Sequence, residues 1–69
     1  DSTNYEAGWK LARAYVDVGE KKEKKEQKDY YLKAEKVARS TVAQHPDGAE
    51  GHFYLAVAVG RIALYEGGK

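Results

Sequence analysis

The closing stretch "GHFYLAVAVGRIALYEGGK" most limits how this chain can fold, because it is apolar at almost every position from Phe53 to Tyr65. Only His52 and Arg61 interrupt it with clear polarity. A helix on the surface of a soluble protein normally keeps one polar side for water. We therefore expect protein contacts on two or more sides of this segment, which is more than two preceding helices can supply.

Composition narrows the class of protein. The chain has 69 residues and no cysteine, so one small, marginally stable domain must be held together by packing alone or by a partner. Twelve basic and eleven acidic residues leave a net charge of +1, which favours neither nucleic acid nor an anionic membrane as a partner. No apolar run reaches the roughly 18 residues of a membrane span, and the N-terminus lacks the pattern of a signal peptide. We expect a soluble protein; its compartment is left open.

A first helix is predicted near residues 4–19. Thr3 and Glu6 have the spacing of a capping box, which places the start near Asn4. Apolar and small residues then recur every three or four positions, as they do on one face of a helix. The predicted buried face consists of Gly8, Leu11, Ala12, Tyr15 and Val18, with Trp9 and Val16 beside it.

Two further helices are predicted near residues 27–45 and 48–66. Pro46 ends the second helix, and Asp47 with Glu50 forms a cap-like pair for the third, which closes at Gly67. The predicted buried face of the second helix consists of Tyr31, Ala34, Ala38, Thr41 and Val42. The sequence therefore predicts an all-α fold, an antiparallel helical hairpin plus a third helix.

The hairpin turn falls within the charged run "EKKEKKEQKD", for which two interpretations stay open. Either the first helix ends at Gly19, or both helices project as a longer hairpin, the first extending into 20–25, with the turn among the charges. Opposite charges three and four apart support a solvated helix by roughly 0.2 to 0.5 kcal/mol per pair. We expect a solvated helical extension here, not a patch that binds nucleic acid or lipid.

An internal repeat relates the first and third segments. Aligning Leu11-Ala12 with Leu55-Ala56 places Trp9 over Phe53 at an offset of 44 residues. The pattern resembles the tetratricopeptide repeat, a helix pair of roughly 34 residues, lengthened here by about ten. The positions that match the repeat are Tyr15, Tyr31, Ala34 and Pro46, and those that depart from it are Gly8, Ala38 and Thr41.

The repeat divides this single domain of residues 1–69 into two parts. Repeat one covers 5–46, with a ten-residue charged insert near 20–29, and a half repeat covers 47–69. "WKLARAYVDVGE", the charged insert, "YYLKAEKVARSTVAQHP" and the closing stretch also resemble the opening of the tetratricopeptide-type domain of the regulator of microtubule dynamics family. That resemblance implies a longer helical array, with roles in protein scaffolding and, for some members, lipid handling at membrane contacts.

The resemblance implies a function as a non-catalytic interaction scaffold. The first helix of each repeat would line a groove that holds a peptide or helix of a protein partner. The simpler interpretation of Trp9 and Phe53 is packing between neighbouring helices. The groove residues implied by the repeat are Glu6, Trp9, Arg13, Asp17, Glu50, Phe53, Val57 and Arg61.

The third helix also predicts self-association, because a three-helix chain cannot cover all of its apolar surface. We expect an isolated chain to form a homo-oligomer, in the simplest case a symmetric dimer. The alternative is an apolar-ligand or lipid-binding helical module. The residues expected to mediate self-association are Phe53, Leu55, Val59, Ile62 and Tyr65.

Catalytic and metal-binding patterns are weak. His45 and His52 lie seven residues apart across Pro46, without carboxylates at metal-ligand spacing. Ser40, His45 and Asp47 contain the residue types of a triad, but five residues along a helix do not bring side chains to one face. We expect no enzyme activity, no cofactor and no metal.

Overall fold

The computed structural model describes residues 2–66 and the side chains of 3–64, and it consists of three α-helices. They are α1 (Ser2–Glu20), α2 (Lys24–Gln44) and α3 (Ala49–Glu66). The described residues include no strand, so the prediction of an all-α helical hairpin plus a third helix is confirmed. The predicted closing turn at Gly67 and the Tyr65 side chain lie outside what is described.

The hairpin turn lies among the charges, at residues 21–23. The Lys22 amide donates to the Gly19 carbonyl oxygen at 3.0 Å, so α1 passes through Gly19 before it ends. Gly19 permits close approach of α2, because a Cβ there would lie 2.9 Å from Tyr30 Cβ and 3.0 Å from Tyr31 Cε1. Of the two interpretations left open by the sequence, the longer hairpin is the one observed.

Small residues bring α1 and α2 close together. Ala12, Ala34 and Ala38 are fully buried between the helices. Farther along, a methyl group at Gly8 would overlap Thr41 Oγ1. Thr41 itself is buried, and its hydroxyl donates to the Val37 carbonyl at 2.9 Å, which removes the cost of a buried polar group. The predicted buried face of α2 is therefore observed, except that Val42 is only half-buried.

Helix α3 packs mainly on α2 and runs parallel to α1. The direction follows from three contacts in register along α1 and α3, which are Tyr5 with Glu50, Trp9 with Tyr54, and Glu20 with Arg61. The shared core lies where the three helices meet. It consists of Val16, Tyr31, Ala34, Ala58 and Ile62, with Tyr15 and Val57 packed against it.

The prediction that Leu11 and Val18 are buried is wrong. Their side chains are 45% and 41% exposed. The buried strip of α1 runs instead through Ala12, Val16 and Gly19. Helix α3 covers only one side of the hairpin. The buried residues of α1 are therefore those that face α2 and α3, and Leu11 and Val18, on the opposite edge of the apolar face, remain exposed to water.

Both predicted helix caps differ from the structure. Helix α1 begins at Ser2, so Thr3 lies within its first turn, and Glu6 pairs with Lys10 at 3.8 Å. At the start of α3, the Tyr5 hydroxyl oxygen accepts the amides of Glu50 at 3.0 Å and Gly51 at 3.3 Å. A side chain from α1 therefore serves amides that the sequence assigned to Asp47 and Glu50.

Candidate functional site

The parallel arrangement of α1 and α3 creates a surface on which residues from both helices meet. Trp9 of α1 stacks on Tyr54 of α3, with ring centroids 6.0 Å apart and planes within 1° of parallel. Phe53 meets the Tyr54 ring edge-on at 4.9 Å. Tyr54 therefore joins the two aromatic residues that the repeat alignment paired. The sequence interpretation missed Tyr54, although its position beside Phe53 was a signal.

Cationic side chains cover the outer side of this stack. Lys10 Nζ lies 5.7 Å and Arg13 Cζ lies 5.4 Å from the Trp9 ring centroid, within the range of cation–π attraction. Arg13 is exposed and Trp9 is half-buried. We call Trp9, Tyr54, Phe53, Lys10 and Arg13 the Trp9 cluster. Such a cluster offers a partner a flat aromatic surface with a fixed guanidinium beside it.

The other predicted groove residues have separate positions. Asp17 is exposed on α1, two turns beyond the cluster at Lys10, whereas Val57 is partly buried against the core. Arg61 pairs with Glu20 at 2.5 Å, and both side chains are 40% exposed. The Arg61 Nε is buried and has no hydrogen-bond partner in the described part of the chain. Glu20 was missed because the sequence placed it in the charged insert.

A cavity of about 580 Å³ adjoins this ion pair near the hairpin turn. The Gln27 side-chain amide donates to the Glu20 backbone oxygen at 3.4 Å and links the start of α2 to the end of α1. Polar and apolar groups both line the cavity. The lining residues are Glu20, Lys24, Gln27, Tyr31, Arg61 and Leu64.

The opposite end of the α1/α3 surface holds a hydrogen-bonded pair of titratable groups. The Tyr5 hydroxyl donates to Glu50 Oε1 at 2.6 Å. Burial raises the pKa of the Tyr5 phenol, and its hydrogen bond to the Glu50 carboxylate raises the pKa further. The same hydrogen bond lowers the pKa of Glu50. The pair is therefore held in its neutral-phenol and ionised-carboxylate form.

His45 lies in the segment between α2 and α3, and His52 contacts that segment from α3. The His52 Nε2 lies 2.6 Å from the Pro46 carbonyl oxygen, which can only accept, so this nitrogen carries the proton. The His45 ring centroid lies 5.1 Å from that of Tyr5. Within the described residues, no group of three or more histidine, aspartate or glutamate side chains is placed to hold a metal ion.

The residues expected to mediate self-association divide between the surface and the core. Phe53 and Val59 are 59% and 40% exposed, whereas Ile62 is 8% exposed and belongs to the core of the chain itself. Leu55 is half-buried. Leu55 and Ile62 lie seven residues apart, so helical periodicity directs both away from the exposed side. The Tyr65 side chain is outside the described part.

The exposed side of α3 also carries Leu64, which is 74% exposed. Small exposed residues separate the three large ones. We call this set the outer face of α3; it consists of Phe53, Ala56, Val59, Gly60, Ala63 and Leu64. Among the residues that the structure describes, no helix contains an apolar stretch of the length needed for a membrane span.

These features define an all-α unit in which a helical hairpin carries a third helix parallel to the first. The family model described as Regulator of microtubule dynamics protein 1-3 matches residues 1–69. The chain is 37% identical over 60 residues to regulator of microtubule dynamics protein 3 of Rattus norvegicus. That match covers 86% of this chain and 13% of the rat protein. The chain belongs to the regulator of microtubule dynamics family. No solved structure gives a significant match.

Proposed function

We propose that this chain is a non-catalytic protein-interaction module of the tetratricopeptide type, which binds a peptide or helix along the α1/α3 surface. The Trp9 cluster is the observation that carries the proposal. Tryptophan, tyrosine and arginine are the residue types that contribute most to protein-binding energy. Here they are held in contact at a surface, with the Arg13 guanidinium 5.4 Å from the Trp9 ring.

Two further observations support this assignment. Helices α1 and α3 run parallel with α2 antiparallel to both, which is the arrangement that the first helices of two successive tetratricopeptide repeats would have. Family membership supports a role in the regulation of microtubule dynamics. The rat relative carries that role in its name, and this chain corresponds to only 13% of its length. The module would therefore supply one contact within a larger protein.

Microtubules are the first partner to test. In a co-sedimentation assay with polymerised tubulin, we expect the chain to pellet with microtubules. Arg13→Glu should reduce the bound fraction about tenfold, because it replaces the cation beside Trp9 with an anion. Arg39→Glu is the matched control, since Arg39 is an exposed arginine on α2 that pairs with Glu35 at 2.7 Å.

Each failure has a distinct meaning. An absence of the wild-type chain from the pellet would exclude the microtubule as its partner. Equal binding by the Arg13 and Arg39 variants would exclude the Trp9 cluster as the contact surface, since both substitutions change the net charge by the same amount. Circular dichroism of both variants establishes that the helices are retained.

We also propose that the outer face of α3 mediates self-association. Phe53, Val59 and Leu64 are large apolar side chains left in water on one helix face. The small residues between them would let the backbone of a second helix approach closely. A second copy of this chain presents the same face, so a twofold dimer would bury both at once.

The alternative function, binding of an apolar ligand, is supported less well than binding of a protein, because charged residues line the cavity beside Arg61. An alkyl chain in that cavity would lie against the Glu20 and Arg61 charges as well as Tyr31 and Leu64. Burying these charges against hydrocarbon would be costly. A protein partner, which can supply hydrogen-bonding groups, suits this lining better.

A further inference from the structure

A second cluster of aromatic and cationic side chains lies on the hairpin itself, apart from the Trp9 cluster. The Tyr15 and Tyr30 ring centroids are 6.5 Å apart, which joins α1 to α2. Lys33 Nζ lies 6.0 Å from the Tyr15 ring and 5.3 Å from the Tyr30 ring. Lys22 Nζ, from the turn, lies 5.7 Å from the same Tyr30 ring. These ring–ring and cation–ring contacts are all made within the hairpin and its turn.

An apolar strip on α1 continues this cluster. Leu11, Tyr15 and Val18 are four and three residues apart and therefore lie on one side of the helix, with Lys22 a further four residues on. Leu11 and Val18 are the two side chains that the core leaves 45% and 41% exposed. Together these residues form a continuous surface, which we call the lysine–tyrosine surface: Leu11, Tyr15, Val18, Lys22, Tyr30 and Lys33.

The charges around this surface are mostly positive. The acidic residues of α1 lie elsewhere, since Glu6 and Asp17 are on the side of Trp9 and Glu20 pairs with Arg61. On α2, Lys36 lies one turn beyond Lys33 and lines a cavity of about 340 Å³ with Gly8 and Val37.

Acidic residues on this side of the hairpin come from the beginning of α2. They are Glu26, four residues before Tyr30, and Asp29, four residues before Lys33, and the lysines on the same side are Lys22, Lys33 and Lys36. Lysines therefore exceed acidic residues beside these exposed apolar side chains.

We propose that the lysine–tyrosine surface binds an acidic amphipathic segment of a protein partner. The Lys22 and Lys33 ammonium groups lie 5.7 and 5.3 Å from the Tyr30 ring centroid, where they would attract carboxylates of a partner. The strip from Leu11 to Val18 would receive the apolar side chains of the same segment. A shallow surface between two antiparallel helices fits an elongated peptide, and the near-neutral net charge gives no general attraction to an anionic bilayer.

This inference concerns a different side of the hairpin from the proposed α1/α3 site, so the two can fail independently. The test uses fluorescence anisotropy with a fluorescein-labelled peptide that carries leucine at helical spacing and glutamate elsewhere. We expect Lys33→Glu to weaken binding by about tenfold, and Leu11→Ala to weaken it by a smaller factor. Arg13→Glu, in the Trp9 cluster, should leave binding nearly unchanged.

Matched controls distinguish binding at the lysine–tyrosine surface from effects of net charge or of exposed apolar side chains elsewhere. Arg39→Glu makes the same charge change as Lys33→Glu on the other side of α2, and Leu32→Ala removes a leucine that is 42% exposed, as against 45% for Leu11. Neither control should weaken binding. Equal losses in the control and test variants would overturn the proposal. So would equal binding of a peptide with the same composition in scrambled order, or binding to phosphatidylserine vesicles without binding to the peptide.

Discussion

Tyr5 connects the first and last helices through one hydroxyl group. Its oxygen accepts two amides at the start of α3, and its proton is donated to Glu50 Oε1 at 2.6 Å. A helix start leaves its first amides without partners inside the helix. Here a residue 45 positions earlier in the chain supplies the acceptor, so the cap forms only when α1 and α3 are already packed.

The stability of the chain should therefore depend on pH at both ends of the scale. The pKa of Glu50 is lowered from its ordinary value of 4.5. Ionised Glu50 therefore adds to the free energy of unfolding above pH 4.5, and this stabilisation is lost as the pH falls through the lowered pKa. The pKa of Tyr5 is raised from 10.0, so its contribution is present below pH 10.0 and is lost as pH rises through the raised pKa. Urea unfolding across this range should show a plateau between the two limits.

Single substitutions show which residue causes the loss of stability at acidic pH and which causes the loss at alkaline pH. Glu50→Gln should flatten the acidic decline and leave the alkaline one, whereas Tyr5→Phe should reduce both and lower the plateau. Tyr30→Phe is the control for loss of a phenol elsewhere in the chain. A Tyr5→Phe profile parallel to that of the wild type at every pH would show that the hydroxyl does not link the helices.

At the scale of elements, the hairpin depends on glycine and alanine where α1 and α2 touch. A Cβ at Gly8 would overlap Thr41 Oγ1, and it would lie 3.2 Å from Thr41 Cβ and Cγ2. Thr41 is buried and cannot move outward freely. In contrast, a Cβ at Gly60 on the outer face of α3 would meet no atom within 4 Å. Glycine is therefore needed for helix packing at position 8, whereas at position 60 it only lowers the stability of the helix.

Alanine substitution should reveal this difference. Gly60→Ala should stabilise the chain by about 0.5 to 1 kcal/mol, the gain in helix propensity. Gly8→Ala gains the same propensity but incurs overpacking of about 1 to 3 kcal/mol, so we expect a net loss of about 1 kcal/mol. The measurement is urea unfolding at low protein concentration, where self-association does not contribute.

A second substitution checks the cause. Thr41→Ala removes the atoms that the new methyl group would overlap, so the double variant Gly8→Ala/Thr41→Ala should lose less than the sum of the two single losses. Strict additivity would show that the Gly8 effect does not arise from its approach to Thr41.

At the scale of the whole molecule, α3 has one side in the core and another in water. Ala58 and Ile62 pack inward, while Phe53, Val59 and Leu64 stay exposed on the outer face. Transfer of apolar surface from water is worth about 25 cal/mol per Å². Two helices cannot enclose a third on every side, so burial of this surface by a second chain would add stability.

Sedimentation velocity should therefore detect a concentration-dependent dimer between micromolar and millimolar protein. Val59→Lys should shift the equilibrium to monomer, because it would bury a charge at the centre of the proposed interface. Leu11→Lys is the matched control, since Leu11 is 45% exposed on α1 and Val59 is 40% exposed on α3. A monomer at every concentration, or equal effects of the two lysines, would contradict association through the outer face.

The sequence is sufficient to predict the three helices, the buried face of α2 and the all-α class, because propensity, spacing of apolar residues and Pro46 act over a few neighbouring positions. It also placed Trp9 and Arg13 on one side of α1. Tertiary structure alone decided that Leu11 and Val18 stay in water, that Tyr54 stacks on Trp9 and that Tyr5 caps α3. These outcomes depend on which side of the hairpin α3 covers, and packing between distant segments sets that choice.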